Sequence, residues 1–385
     1  LNKMKILGVV DGIGSMMVGA RGKHEILGNI EWRPYYHTGT FEANFPGSFM
    51  VKSWDDLSEE QQNQCMEADL IIGHPECGNF SILNTKGFKQ TDSLDLPFYI
   101  DMVNRVKPKL FLADNLPKSL MTLSLADWHK MVPGYKIEPL WVSNWGYGNT
   151  QKHRNRLFMM GVREDLDFQF VPDEREHDTL VEDLIFDLPR HKDIPELNHI
   201  FKKDDDFMTG FSSYYFLGNP EENKRKMTYK EFKENIILEG KAICVYNSKG
   251  ELKRRPGFLV REMDKPALTL SGGGFAGADN IYDASTFQPL TIRERARIQG
   301  FPDDFIFYPL DYNKVPQMYN CLIKQTGKCM PIEFCTYIVN QMGEFIDNGI
   351  QKDPKKARTI LKPNPIIEEQ KELCADFLFH SETQD

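Results

Sequence analysis

A chain of 385 residues, 41% hydrophobic and 12% aromatic, is long enough for two domains, or one with insertions, around a large core. Its seven cysteines are odd in number and scattered without CxxC spacing, which argues against a disulfide framework or a metal site and for reduced, intracellular thiols. No apolar run approaches the roughly 20 residues of a membrane span and no signal peptide is expected, while the net charge of −9 does not announce a nucleic-acid binder, although a basic groove can sit on an acidic protein.

The first half alternates strand-like and helix-like segments. "MKILGVVDGIGSMMVGA" reads as strand, tight glycine turn and helix start, and "HEILGNIEW" as a second strand ending on an acidic residue. "ADLIIGHPEC" is a third strand, "FYIDMVNRVKP" a helix, "KLFLADNLP" a strand, and "RNRLFMMGVR" a later strand. Strands separated by helical patterns predict a Rossmann-like α/β fold with a parallel sheet, occupying residues 1–162. From 163 to 262 the pattern breaks, and "DEREHD", "FKKDDDF" and "NPEENKRK" are expected loops of an inserted, smaller domain. The helical "TIRERARIQGF" and "PIEFCTYIVNQMGEFI" then return the chain to the first domain over 263–346, and 347–385 is an extension.

In "VVDGIGS", Gly12 and Gly14 let the backbone approach a ligand at a strand-to-helix turn, although a purely structural turn explains them as well. Glu31 ends the second strand, where a carboxylate can accept two hydrogen bonds from a ribose diol, and Trp32 beside it can cover an adenine face. Together these features favour a nucleoside-bearing cofactor at the carboxyl ends of the strands.

Further along stand, in order, "GHPECGNFS", "LADNLP", "YGNTQKHRNRLF", "PLTIRERARIQGFPDDF" and "KQTGKCMP". With the glycine turn and Glu31-Trp32, this order resembles the DNA cytosine-5 methyltransferase family, whose motifs run roughly FxGxGG, an acidic residue with an aromatic, GxPCQxFS, ENV, QxRxR, RE…RLQGFPD and GNxVP. The likeness covers about residues 5 to 345, and "RIQGFPDDF" is near-literal. The resemblance implies a class I methyltransferase fold with a target-recognition domain at 163–262, and a monomer acting on double-stranded DNA. It further implies S-adenosylmethionine as donor and a cytoplasmic setting in a prokaryotic or phage-infected cell. Cys77 is then the nucleophile by position, Asp114 the carboxyl group at the base with Asn115 fixing its loop, and Arg154 and Arg156 the arginine pair near both. Val10, Gly12, Ile13, Gly14, Glu31, Trp32, Asp55, Pro75, Leu96 and Lys328 fall at cofactor-binding positions.

The chemistry that the family performs explains these residue types. Cytosine C5 is a poor nucleophile, so a thiolate adds to C6 and turns C5 into an enamine-like carbon that attacks a sulfonium methyl group. A free thiol with a pKa of about 8.5 is mostly protonated at neutral pH, so its surroundings must favour the anion. Attack at C6 also needs charge relief at N3, which a protonated or proton-sharing carboxyl group provides. The base must leave the duplex to reach such a pocket. Arg254, Arg255 and the lysines of "NKRKMTYK" are candidates for phosphate or guanine contacts, and "GGGFAG" for a loop beside DNA.

The chain departs from its family where donor and acceptor meet. Pro-Pro-Cys-Gln becomes Pro75-Glu76-Cys77-Gly78, the glutamate of ENV becomes Asp114, and the first phenylalanine becomes Val10. The arginine motif carries one extra residue, Lys152 or His153, and the GN pair becomes Gly327-Lys328. A lysine there sets a cation in a site that receives a sulfonium, which suits a donor carrying an anion, such as carboxy-S-adenosylmethionine, with 5-carboxymethylcytosine as product. Methylation of transfer RNA, the work of one branch of the family, and a non-catalytic, methyltransferase-like DNA-binding protein are the other readings.

Overall fold

The computed structural model describes residues 3–33, 38–76, 94–121, 123–152, 154–188, 290–308, 315–330 and 332–356, with short pieces at 214–217, 243–246, 263–267, 269–270, 272 and 358–359. Seven strands build one mixed sheet: β1 (Lys5–Val9), β2 (Glu25–Ile30), β3 (Phe49–Val51), β4 (Leu70–Gly73), β5 (Leu110–Asn115), β6 (Tyr135–Ser143) and β7 (Asn155–Arg163). Their order is β3-β2-β1-β4-β5-β7-β6. The central strands are buried almost end to end, as the near-continuous apolar runs "KILGV", "LIIG" and "LFLADN" require of a sheet covered on both faces. On one side lies the helix Asp95–Val106, which buries Tyr99, Ile100, Met102, Val103 and Val106 at helical spacing.

The expected parallel sheet is corrected at one edge. β1 to β5 pair in parallel, but β7 runs antiparallel to β5 and to β6. The strand behind this, "YKIEPLWVS", carries charges and Pro139 and is only partly buried, so its composition hides an edge strand. The reversal has a consequence for chemistry: it brings the start of β7 beside the end of β5, with Asn115 opposite Leu157.

The chain divides into two compact units, one of Leu1–His177 with Cys329–Asp385 and the other of Asp178–Lys328. These limits differ from the expected boundaries at 162/163, 262/263 and 346/347. Residues after β7 remain with the first unit because the helix Ile332–Asn348 holds them. Val171 N donates to Gln341 Oε1 at 3.2 Å, and Val171 O accepts from Tyr337 Oη and Gln341 Nε2, both at 2.8 Å. Arg358–Thr359 pairs with Asp173–Glu174, so part of the C-terminal extension adds to the same unit.

In the second unit the helix Ile292–Ile298 packs with Val181, Ile185, Leu188, Ala267, Leu270 and Leu290. Its "TIRE" start is a capping box, with Glu294 N donating to Thr291 Oγ1 at 3.1 Å and Thr291 N to Glu294 Oε2 at 2.7 Å. Arg293, fully buried, donates to Pro302 O and Phe305 O, and Arg297 bridges Asp187 and Asp303. The near-literal "RIQGFPDDF" is therefore an internal brace of this unit.

Candidate active site

The functional side chains gather at the carboxyl ends of β1, β2, β4 and β5 and the start of β7. β1 and β4 are neighbours although not consecutive, which makes their carboxyl ends a topological switch point, the place where open α/β sheets bind ligands. Approach between the two is close: a Cβ on Gly73 would stand 2.2 Å from Val9 O.

Asp114 near the end of β5 is fully buried. Its Oδ1 accepts from Arg156 Nε at 2.8 Å, and its Oδ2 from Arg156 Nη2, while His74 Nδ1 lies 2.5 Å from Oδ2. Burial works to raise the Asp114 pKa, but the charge of Arg156 and the hydrogen bonds of His74 and Arg156 outweigh it and hold the group below the usual carboxylate range. An ionised carboxylate only accepts, so His74 Nδ1 carries the proton that the pair shares. Asn115 Oδ1 accepts from Leu116 N at 2.7 Å and shapes the turn after the strand. Arg154 points elsewhere than its companion: its Nη2 donates to Cys329 O at 2.5 Å.

At the glycine turn, Gly12 and Gly14 adopt φ of 64° and 83°, which their lack of Cβ permits. Val10 is also left-handed, at φ 52°, a strained conformation for a β-branched residue. It is held by Val10 N to Ile30 O at 2.9 Å and by His74 N to Val10 O at 3.3 Å. The Val10 side chain is buried within the core and Ile13 is buried too. Trp32 is 37% exposed, whereas Pro75 is buried, Leu96 half-buried and Asp55 exposed. Lys328 ends the helix Val315–Lys328 of the second unit, where a Cβ on Gly272 would meet its Cγ at 2.5 Å.

Cys77, His153, Arg254, Arg255, the lysines of "NKRKMTYK" and all of "GGGFAG" but Gly272 lie outside the described residues. The chain is anchored up to the residue before the thiol, as Glu76 N donates to Asp95 Oδ2 at 2.8 Å. Cys65, Cys321, Cys329 and Cys335 are free and buried. Burial raises the thiol pKa of Cys65 to about 12 and also raises those of Cys329 and Cys335, so these three are poor nucleophiles.

Three members of the site escaped the sequence reading. Arg33 is buried and donates from Nε to Glu31 Oε1 at 2.8 Å, from Nη2 to Glu31 Oε2 at 2.6 Å, and from Nη1 to Asp95 Oδ2 and His74 O, both at 3.1 Å. With Arg33 N on Oε1 and Gly12 N on Oε2, at 2.9 and 2.8 Å, Glu31 accepts four hydrogen bonds, about the capacity of a carboxylate. The only trace of this in the sequence is the i, i+2 spacing of Glu31 and Arg33, which puts two side chains on one side of an extended segment. His74 left a trace as an imidazole directly after a buried strand, and Asp11 as a charge inside an apolar glycine turn.

The family model for C-5 cytosine-specific DNA methylase matches residues 4–344. Among curated proteins, the type II methyltransferase M.MthTI of Methanothermobacter thermautotrophicus is 26% identical over 360 residues, 89% of this chain and 98% of its own length. M.FnuDI of Fusobacterium nucleatum is 26% identical over 361 residues, covering 89% and 95%. Of solved structures, a candidate DNA modification methyltransferase encoded within an Escherichia coli prophage superposes with a TM-score of 0.58 at 22% identity, over 89% of this chain and 99% of its own. The DNMT2 of Spodoptera frugiperda superposes at 0.53 and 13%, over 88% and 99%. By this match along nearly its whole described length, and with the sheet and the Asp114–Arg156 pair in place, the chain belongs to the C-5 cytosine-specific DNA methylase family.

Proposed function

We propose that this protein methylates cytosine at C5 in double-stranded DNA, with S-adenosylmethionine as donor and Cys77 as the nucleophile that adds to C6 of a flipped base. The observation that carries the reading is the buried cluster of His74, Asp114 and Arg156, which lies at the strand ends beside the segment leading into Cys77. The donor suits the residues present: a glycine turn that admits close approach, an exposed indole at Trp32, and a buried carboxylate oxygen on Asp11 with no partner.

The steps that fall to this chain's residues follow from their chemistry. The Cys77 thiolate forms a bond to C6, and the C5–C6 π electrons move onto C5 and toward N3. Charge arriving at N3 is relieved by a proton lent from the His74–Asp114 pair and returned to it as the thiolate leaves, while Arg156 fixes the carboxylate's position. Bound S-adenosylmethionine supplies an electrophilic methyl carbon to the C5 so made nucleophilic. Loss of the C5 proton to a base and departure of the thiolate from C6 restore the double bond. Mass spectrometry of nucleosides from DNA made in cells expressing the protein tests the reading; DNA without 5-methylcytosine or another C5-substituted cytosine overturns it.

A second reading is favoured by Lys328, which stands where the family carries asparagine. In it the same scaffold transfers a carboxymethyl group from carboxy-S-adenosylmethionine, the ammonium pairing with the donor's extra carboxylate. The same digest distinguishes the two, because the product is then 5-carboxymethylcytosine.

A further inference from the structure

Asp11 immediately follows Val10 at the end of β1 and opens the glycine turn. The residue is 2% exposed. Its Oδ1 has one long hydrogen bond, from Met16 N at 3.4 Å, and its Oδ2 has none. A buried carboxylate oxygen without a donor is costly, so its presence calls for an occupant or a proton. The ionisable groups acting on Asp11 come from every side. His74 follows β4, Glu31 and Arg33 follow β2, Tyr99 lies in the helix Asp95–Val106, and Cys329 and Cys335 stand before and in the helix Ile332–Asn348. Arg33 is committed to Glu31 and Asp95, and His74 to Asp114. Among the described residues no cation hydrogen-bonds to the Asp11 carboxylate.

We infer that Asp11 is the counter-charge for the cationic end of the donor, its Oδ2 pairing with the sulfonium or the α-ammonium group when the donor binds. This rests on the reading that the donor is S-adenosylmethionine. Both cations belong to that one molecule, and a carboxylate in a water-poor turn suits either. The turn itself favours the neutral form of Asp11, since burial pushes its pKa up to about 8, and the Met16 amide, His74 and Arg33 only partly oppose this while Glu31 adds to it. Arrival of a cation then expels the proton, leaving a carboxylate paired with the donor.

The test is titration calorimetry of the full chain at pH 7 with S-adenosylmethionine and with its demethylated product, in two buffers of different ionisation enthalpy. The unaltered protein should release close to one proton per donor bound, and Asp11→Asn, which keeps the shape, should release none and bind at least tenfold more weakly. Equal weakening for both ligands assigns Asp11 to the ammonium, and weakening for the donor alone assigns it to the sulfonium. Unchanged affinity in Asp11→Asn, or no proton release by the unaltered protein, overturns the inference and leaves the donor reading standing. Failure of the unaltered protein to bind either nucleoside removes both.

Discussion

Replacing Asp114 by asparagine preserves shape and strips the charge from a carboxylate that faces Arg156 and His74 in a fully buried setting. Arg156 is itself buried, so its guanidinium would keep its desolvation cost and lose its counter-ion. Breaking a buried ion pair from one side costs about 3–5 kcal/mol. Against a typical stability of about 5–15 kcal/mol, and at roughly 2–4 °C per kcal/mol for a unit of this size, the melting midpoint should fall by on the order of 10 °C. Adding Arg156→Met removes the stranded charge, so the double variant should be more stable than Asp114→Asn alone. Because the folded pKa of Asp114 is depressed, its contribution is complete above the unfolded carboxylate value of about 3.9 and is lost as pH falls from there through the folded value. The unaltered protein should therefore lose stability in acid more steeply than Asp114→Asn. Urea unfolding followed by circular dichroism at pH 7 and in a series down to pH 3 measures all of this. A single variant within about 1 kcal/mol of the unaltered protein, or a double variant showing no coupling, refutes the buried pair.

Three further outcomes follow. Cys77→Ser should abolish transfer while leaving the fold and DNA binding intact, since a hydroxyl is a far weaker nucleophile at neutral pH; substantial activity in a nucleoside assay would remove the covalent route. Given both donors together with DNA, the unaltered enzyme should show carboxymethyl product if Lys328 receives an anionic donor, and Lys328→Asn should shift the product toward methyl; methyl product alone, with no gain on going to asparagine, ends the second reading. Thr291→Ala should cost about 1 kcal/mol by removing a helix cap, with catalysis falling only as far as folded protein is lost; a large drop in turnover at full stability would place this motif at the substrate.

How much of this was legible in the sequence differs by link. The buried strands declared themselves through unbroken apolar runs, and the glycine turn through residues whose φ is in fact positive. The edge strand Tyr135–Ser143 did not, because half-exposed edges tolerate charge and proline, and with it went the antiparallel direction of β7. Asp114 and Arg156 stand out in the sequence only through the family resemblance, and their hydrogen bond comes from the antiparallel pairing of β5 with β7. Site chemistry was illegible where partners are distant in sequence: His74 and Asp114, or Arg33 and Asp95, meet only because β1, β2, β4 and β5 end together. The most family-like phrase, "RIQGFPDDF", is tied within its own unit, its Arg297 to Asp303 and its Phe305 carbonyl to the buried Arg293 that precedes it.

The same limit decides what Glu31 can do. A glutamate at a strand end suggests a free acceptor for a ribose diol, yet both oxygens of Glu31 are filled by Arg33 and Gly12. A diol can bind there only as Arg33 lets go, and each exchange gives up a charge-assisted hydrogen bond of about 1.5–3 kcal/mol for a similar one. If the donor's diol takes Glu31, apparent donor affinity should scale with the fraction of molecules in which Glu31 is released. Arg33→Met keeps an extended side chain without donors and removes the competitor, so donor binding should tighten several-fold while the protein loses stability, because Glu31 and Asp95 lose their shared cation. Glu31→Gln in the Arg33→Met background should cancel the gain, because a neutral amide is a weaker acceptor for the diol than a carboxylate. Calorimetry with the demethylated product, at a temperature where both variants are folded, reads the two effects apart. Weaker binding by folded Arg33→Met would mean that Arg33 belongs to the binding surface, and the exchange would be wrong.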